Sequence, residues 1–240
     1  MQTLEPSLTT NIPTSNIQKI AIVDDDKDAV DVAIWQVEDA GFEAFVVEKP
    51  FQEVNDLALY IMENAQGALC DHRLAQYALA PFPGSKLVAA LYDKKIPSIL
   101  ITQYVETDTA VSIRMYRQKI PVLLSRDEAN ASTIKKGIED CVSELNGRVP
   151  STRRAHRTLL NIIDITHDSE KEVVDVIVPG WNPHRAVRFP TLLIPEELHA
   201  VLKPDVWLFA RINTGAEKAE DLFFDRFEIA PELDDDDGLA

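Results

Sequence analysis

At 240 residues, with 45% hydrophobic and 27% charged side chains, the chain has room for about two domains and enough apolar content to give each a core. Its formal net charge of −16 opposes the nucleic acid backbone and excludes general DNA or RNA binding unless a local basic patch works against that field. Cys70 and Cys141 lack any CxxC or metal-like spacing and read as buried thiols; no run reaches the roughly 18 apolar residues of a membrane span and no signal-peptide pattern opens the chain, so a soluble cytoplasmic protein is expected.

Residues 1–16, rich in Ser, Thr, Asn and Pro, read as a flexible leader. Residues 17–23 form a first strand, apolar enough to be buried on both faces of a parallel sheet. Residues 28–40 carry Ala29, Ala33, Val37 and Ala40 at helical spacing, with Gly41 where a left-handed C-cap is wanted. The alternation continues. A strand at 42–47 is followed by a helix opened by Pro50 and running to about 65. A strand at 67–70 ends at Asp71 and is followed by a long loop with Pro81 and Pro83, then a helix over 84–92. The last two pairs are a strand at 97–102 with a helix over 108–118, and a strand at 120–124 with a helix over 128–145 that Asn146-Gly147 ends. Five strands, each followed by a helix, predict an open, doubly wound parallel sheet.

The period then changes. Residues 148–157, basic and containing Pro150, read as a linker, and 158–233 as a smaller mostly-β module. Its strands are expected at 159–165, 173–178, 186–189, 206–213 and 223–229, with one helix at 195–202. Trp207, Phe209 and Arg211 alternate with Leu208, Ala210 and Ile212, the pattern of a half-buried strand. Residues 234–240, with Asp234–Asp237, read as a solvated acidic tail.

Parallel α/β sheets bind ligands outside the carboxyl ends of their strands. The polar residues that interrupt the apolar runs fall at those ends: Asp24 and Asp25 after the first strand, Asp71 at the third, Thr102 at the fourth, Ser125 and Arg126 after the fifth. Carboxylates crowded there cannot all stay ionised without a raised pKa or a bound cation, and hard oxygen ligands with a phosphate suit Mg²⁺. An aspartate in such a site can attack a phosphoryl donor to give an acyl-phosphate.

In Ile22-Val-Asp-Asp-Asp, Leu69-Cys-Asp-His-Arg-Leu, Pro83-Gly-Ser-Lys-Leu, Ile96-Pro-Ser-Ile-Leu-Ile-Thr and Ile120-Pro-Val-Leu-Leu, residues 17–145 of an expected domain at 17–147 resemble the receiver domain of two-component response regulators. The resemblance implies a flavodoxin-like fold, with Asp24, Asp25 and Asp71 holding Mg²⁺, Asp71 as phosphoacceptor and Thr102 as the responding hydroxyl. It also implies a histidine kinase or phosphotransfer protein as donor; it leaves the choice between monomer and homodimer open, although receivers often dimerise through the face after the fourth strand. Several residues depart from the pattern. Ser125-Arg126 stands where receivers place Lys-Pro, and a planar guanidinium does not reproduce an ammonium. Gln103 replaces a small residue, and Tyr104 lies outside the fifth strand, where the switch aromatic is usual.

The plainer readings are a polar turn for Asp24 and Asp25, a loop cap for Asp71, a strand end for Thr102, and a surface pair with Asp127 or Glu128 for Arg126. His72 reads as an exposed neighbour of Asp71, and the other histidines show no metal-ligand spacing. The leading expectation is a response-regulator-like signalling protein, not an enzyme, with the β-rich module binding an unidentified protein. No helix-turn-helix pattern supports DNA binding. The alternative is a pseudo-receiver, an interaction module whose pocket is retained but not cycled. A haloacid-dehalogenase-type phosphatase fits poorly, since Asp28 stands where that motif needs Thr or Val.

Overall fold

Five short apolar runs become five parallel strands. The computed structural model describes residues 12–168 and 171–231, and the chain divides into two units. The first comprises Met1–Asp108 and Lys119–Pro150; the second comprises Thr109–Gln118 and Ser151–Ala240. Among the described residues no helix is long and apolar enough to cross a membrane.

In the first unit β1 (Lys19–Val23), β2 (Glu43–Val46), β3 (Gly67–Asp71), β4 (Ser98–Thr102) and β5 (Val122–Ser125) lie in the order β2-β1-β3-β4-β5. All pairs are parallel, so the sheet is the doubly wound, flavodoxin-like one, and its strand order reverses between β1 and β3. Alternate side chains of each strand serve opposite faces. Ile20, Ile22, Leu69, Ile99 and Ile101 pack with Val37 of α1 (Lys27–Asp39) and with Ile134, Ile138 and Cys141 of α5 (Ala131–Leu145). Ala21, Val23, Ala68, Cys70 and Leu100 are buried too, as are Leu57 and Ile61 of α2 (Val54–Asn64) and Leu87 and Leu91 of α3 (Gly84–Asp93). At about 1.5–3 kcal/mol for each buried large aliphatic side chain, these layers hold the sheet.

The helix ends follow their local chemistry. Asp26, rather than Asp28, caps α1, accepting from the Asp28 N–H at 3.0 Å. Gly41, at φ 89°, supplies the left-handed residue that ends it. Asn130 and Thr133 form a reciprocal capping box at the start of α5. Pro50 does not open α2, which starts at Val54 after an extended Glu53. The expected leader is corrected at its end: Asn146 exchanges two 2.8 Å hydrogen bonds with the Ile12 backbone. Residues 1–11 and the expected acidic tail lie outside the described residues.

The expected helix over 108–118 is also corrected. A single turn, α4 (Val105–Asp108), gives way to a π-helical stretch, Thr109–Ile113, and a 3₁₀ stretch, Arg114–Lys119. In 3₁₀ winding residues three apart eclipse, which puts Arg114 and Arg117 on one side. Arg114 Nη1 donates to the Ala219 carbonyl at 2.9 Å and to that of Leu222; Arg117 pairs with Asp221 at 2.7 Å. Two buried arginines that satisfy backbone carbonyls outweigh the regular helix that the sequence otherwise favours.

In the second unit β6 (His156–Asp168), β7 (Lys171–Val178), β8 (Asn182–Pro190), β9 (Trp207–Ile212) and β10 (Phe224–Ile229) form an antiparallel sheet in the order β10-β9-β6-β7-β8. Leu160, Ile162, Val174, Val176, Phe189, Leu208, Ala210 and Ile212 build its core, and the Trp207–Ile212 alternation is as the sequence implies. No free linker spans 148–157: Ser151–Arg153 is a 3₁₀ turn with Arg153 buried, and β6 begins at His156. The expected helix at 195–202 is a 3₁₀ stretch, Glu196–Val201.

Candidate functional site

The strand register brings the predicted polar ends together. Val23 pairs with Cys70, Asp71 with Ile101, and Thr102 with Ser125, so Asp24, Asp71, Thr102 and Arg126 share the carboxyl edge of the sheet. They line a cleft of about 460 Å³ with Asp25 and Tyr104. Behind them Gly84 lets α3 approach β3: a Cβ there would stand 1.8 Å from the Asp71 carbonyl oxygen, and the Gly84 N–H donates to His72 O at 2.9 Å.

Arg126 decides the electrostatics. Its Nη2 donates to Asp24 Oδ2 at 3.1 Å and to Asp71 Oδ1. The surface pair with Asp127 or Glu128 is therefore not the arrangement found; Ser125 engages Glu128 instead, through its N–H at 3.0 Å and its hydroxyl at 3.2 Å. Burial pushes the Asp71 carboxyl up to about 6, helped by the Asp24 charge and opposed by the Arg73 N–H and by Arg126. Burial raises Asp24 as well. Burial pulls the Arg126 pKa down, yet the two carboxylates outweigh it and hold it above the ordinary value.

The other carboxylate oxygens are engaged too. Asp24 Oδ1 accepts from the Asp26 N–H at 3.0 Å, Asp71 Oδ2 from the Arg73 N–H at 2.6 Å, and Asp25 Oδ2 from the Tyr77 N–H at 2.6 Å. Of the six oxygens expected to serve a metal, five thus already accept hydrogen bonds from the chain. Among the described residues no three His, Cys, Asp or Glu side chains are grouped so as to hold a metal ion. Mg²⁺ prefers near-octahedral oxygen ligands at about 2.0–2.1 Å. With the guanidinium bridging Asp24 and Asp71, and Asp25 turned to the loop, this arrangement does not fit the ion.

Thr102 is buried, and its hydroxyl points to a residue the sequence reading missed: Oγ1 donates to Asp108 Oδ2 at 2.5 Å. Asp108 also receives Arg73 Nη2 at 2.8 Å, and the Arg73 guanidinium lies 4.2 Å from the Tyr104 ring centroid. The adjacency of Arg73 to Asp71 is visible in the sequence, whereas its reach to Asp108, 35 residues on, is not. His72, read as exposed, is 3% exposed, and burial lowers its pKa. The long loop after β3 is packed rather than open, with Leu74, Leu79 and Phe82 buried. Gln103 and Tyr104 border the cleft, as their positions after β4 imply.

No family model matches the sequence, and no curated protein matches it. Solved structures do. One is a response regulator receiver domain protein from Clostridium thermocellum: 14% identity, 53% of this chain and 96% of that chain, TM-score 0.41. A receiver domain protein from Methanospirillum hungatei JF-1 shares 20% identity over 55% of this chain and 98% of its own, TM-score 0.40. One from Methylobacillus flagellatus shares 21% identity over 51% and 99%, TM-score 0.38. The strand order β2-β1-β3-β4-β5, with Asp24 and Asp25 following β1, Asp71 ending β3 and Thr102 ending β4, gives the first unit the doubly wound, flavodoxin-like fold.

Proposed function

We propose response-regulator-type signalling in which Asp71 accepts a phosphoryl group from a histidine kinase or phosphotransfer protein, and the β-rich unit binds a protein partner. The observation that carries this reading is the placement of Asp71: its carboxyl ends β3, opens on the cleft, and has a fixed cation on one side and the buried Thr102 hydroxyl at the next strand end. In the transfer an Asp71 oxygen attacks phosphorus, the P–N bond of the phosphohistidine breaks, and the imidazole leaves and takes up a proton. Asp71 must be ionised for this, so with its pKa near 6 the nucleophile is present at neutral pH and lost on mild acidification. Arg126 would pair with the new phosphoryl oxygens. Mg²⁺ belongs to this reading only in exchange for the Arg126 guanidinium.

The engagement of five carboxylate oxygens favours a second reading, a non-cycling pseudo-receiver that serves as an interaction module. Acetyl phosphate with Mg²⁺, followed by intact-mass measurement on wild type and Asp71→Ala, tests the first. A phosphoryl adduct on wild type alone supports it; identical spectra defeat it. Partner capture that Asp71→Ala leaves unchanged supports the second.

A further inference from the structure

An antiparallel sheet with one face on a core ordinarily turns polar side chains outward. The sheet of the second unit does so at its margins and not at its centre. Its core takes Leu208, Ala210 and Ile212 of β9, so the alternate residues Trp207, Phe209 and Arg211 face the other way. Trp207 is 43% exposed. The register sets Phe209 opposite Leu159 and Trp207 opposite Asn161 on β6, and Asn161 opposite Ile177 on β7. Phe209, Leu159 and Ile177 are half-buried, so an apolar stripe with one asparagine crosses the three middle strands. An apolar centre inside a charged margin is the anatomy of a protein interface.

The charges close the stripe at both ends. One end row is Asp225, Arg211 and Arg157; the other is Asp164, Asp175 and Arg188. Three ion pairs use most of them: Arg157 with Glu228 at 3.0 Å, Arg188 with Asp175 at 2.7 Å, and Asp225 with the adjacent Arg226 at 3.7 Å. Among the described residues this leaves Arg211 at one end and Asp164 at the other without an ion pair. The eight charges cancel, in a chain whose net charge is −16. Two copies therefore meet least repulsion here, and each offers a spare cation at one end and a spare anion at the other.

We propose that this face is a docking surface for a second copy of the chain. A two-fold axis crossing the strands lays stripe on stripe and brings Arg211 of each copy to the Asp164 end of the other, an isologous contact. Aromatic rings beside arginines also suit single-stranded nucleic acid, but that use needs a positive groove, and four carboxylates on this face oppose it. Five strands at about 4.8 Å and three same-face steps of about 6.8 Å give a face of roughly 24 by 20 Å. Two such faces cover roughly 1,000 Å² in projection, the low end for a specific interface, so a micromolar dimer is expected. The proposal gives the β-rich unit of the proposed function a defined partner and does not depend on Asp71.

Sedimentation velocity of the full chain from about 1 to 100 µM tests it, with far-UV circular dichroism to check each variant's fold. Wild type should associate to a dimer. Trp207→Ser should weaken the dimer at least about tenfold, since a buried interface tryptophan carries much of the affinity. Trp35→Ser, which removes an exposed tryptophan from α1, should match wild type. Arg211→Glu and Asp164→Lys should each weaken the dimer, and the double variant should return to within about threefold of wild type. These two charge variants decide the matter even if Trp207→Ser fails to fold. A monomer at every concentration overturns the proposal, as does a dimer indifferent to Trp207→Ser or a double variant no better than the single ones. Labelled oligothymidylate that binds wild type and not Trp207→Ser assigns the face to nucleic acid and also overturns it. Each of these failures leaves the phosphoacceptor reading to its own test with acetyl phosphate.

Discussion

Replacing Arg126 with methionine keeps much of the side-chain volume and deletes the charge that bridges Asp24 and Asp71. One guanidinium nitrogen reaches both carboxylates, so their facing oxygens are on the order of 5 Å apart. At an effective dielectric constant of about 20, two unit charges at that distance repel by about 3 kcal/mol. Arg126 is 35% exposed, so solvent screens part of this, and a loss of about 1–2 kcal/mol at about pH 8 is expected. The sign follows from linkage. The folded state raises the Asp71 pKa to about 6, so it binds more protons than the unfolded chain above the ordinary carboxyl range. Stability therefore falls as pH rises between about 4 and 6, and losing Arg126 extends that fall to higher pH. Urea unfolding read through amide exchange in β1 and β3 reports on the first unit. The variant should approach wild type near pH 5 and fall below it at about pH 8. Mg²⁺ should stabilise the variant more than wild type, because an ion at ten times its Kd contributes about 1.4 kcal/mol and in wild type it must first displace the guanidinium. Equal stability at the higher pH, or an equal Mg²⁺ response in both proteins, would refute the assignment of Arg126 as the resident cation.

Asp71→Asn removes the carboxyl whose pKa is raised by about two units, each worth about 1.4 kcal/mol. The variant should match wild type near pH 4 and exceed it by up to about 3 kcal/mol at about pH 8, seen as a flatter pH profile of unfolding. Gly84→Ala places a methyl 1.8 Å from the Asp71 carbonyl oxygen. Since α3 must withdraw from β3, a loss of about 3 kcal/mol or more is expected in thermal unfolding, with weaker exchange protection in both elements. Asn130→Ala deletes the α5 capping box and should cost about 1 kcal/mol, lowering Tm by a few degrees without altering the cleft.

The five strands, the helices that follow four of them and the polar residues at the strand ends were readable in advance because they rest on local chemistry. Buried parallel strands must be apolar throughout, so Asp24, Asp71 and Thr102 stand out where the apolar runs stop. The helix at 108–118 was misread because its apolar spacing is real while its winding is set elsewhere, by Arg114 and Arg117 reaching the carbonyls of residues 219–222. His72 looked exposed because a polar residue beside a strand end gives no sign of the loop that covers it.

Composition and periodicity thus determined the layered fold of the first unit, the β-rich character of the second, and the carboxylate-bearing edge. Tertiary structure alone decided what those carboxylates face. Whether Arg126 turns to Asp127 or into the cleft, and whether Thr102 donates to Asp108 or to Asp71, depends on side chains that meet across neighbouring strands and loops. Charge and hydrogen-bond complementarity act over a few ångströms, and separation along the chain carries no record of that distance.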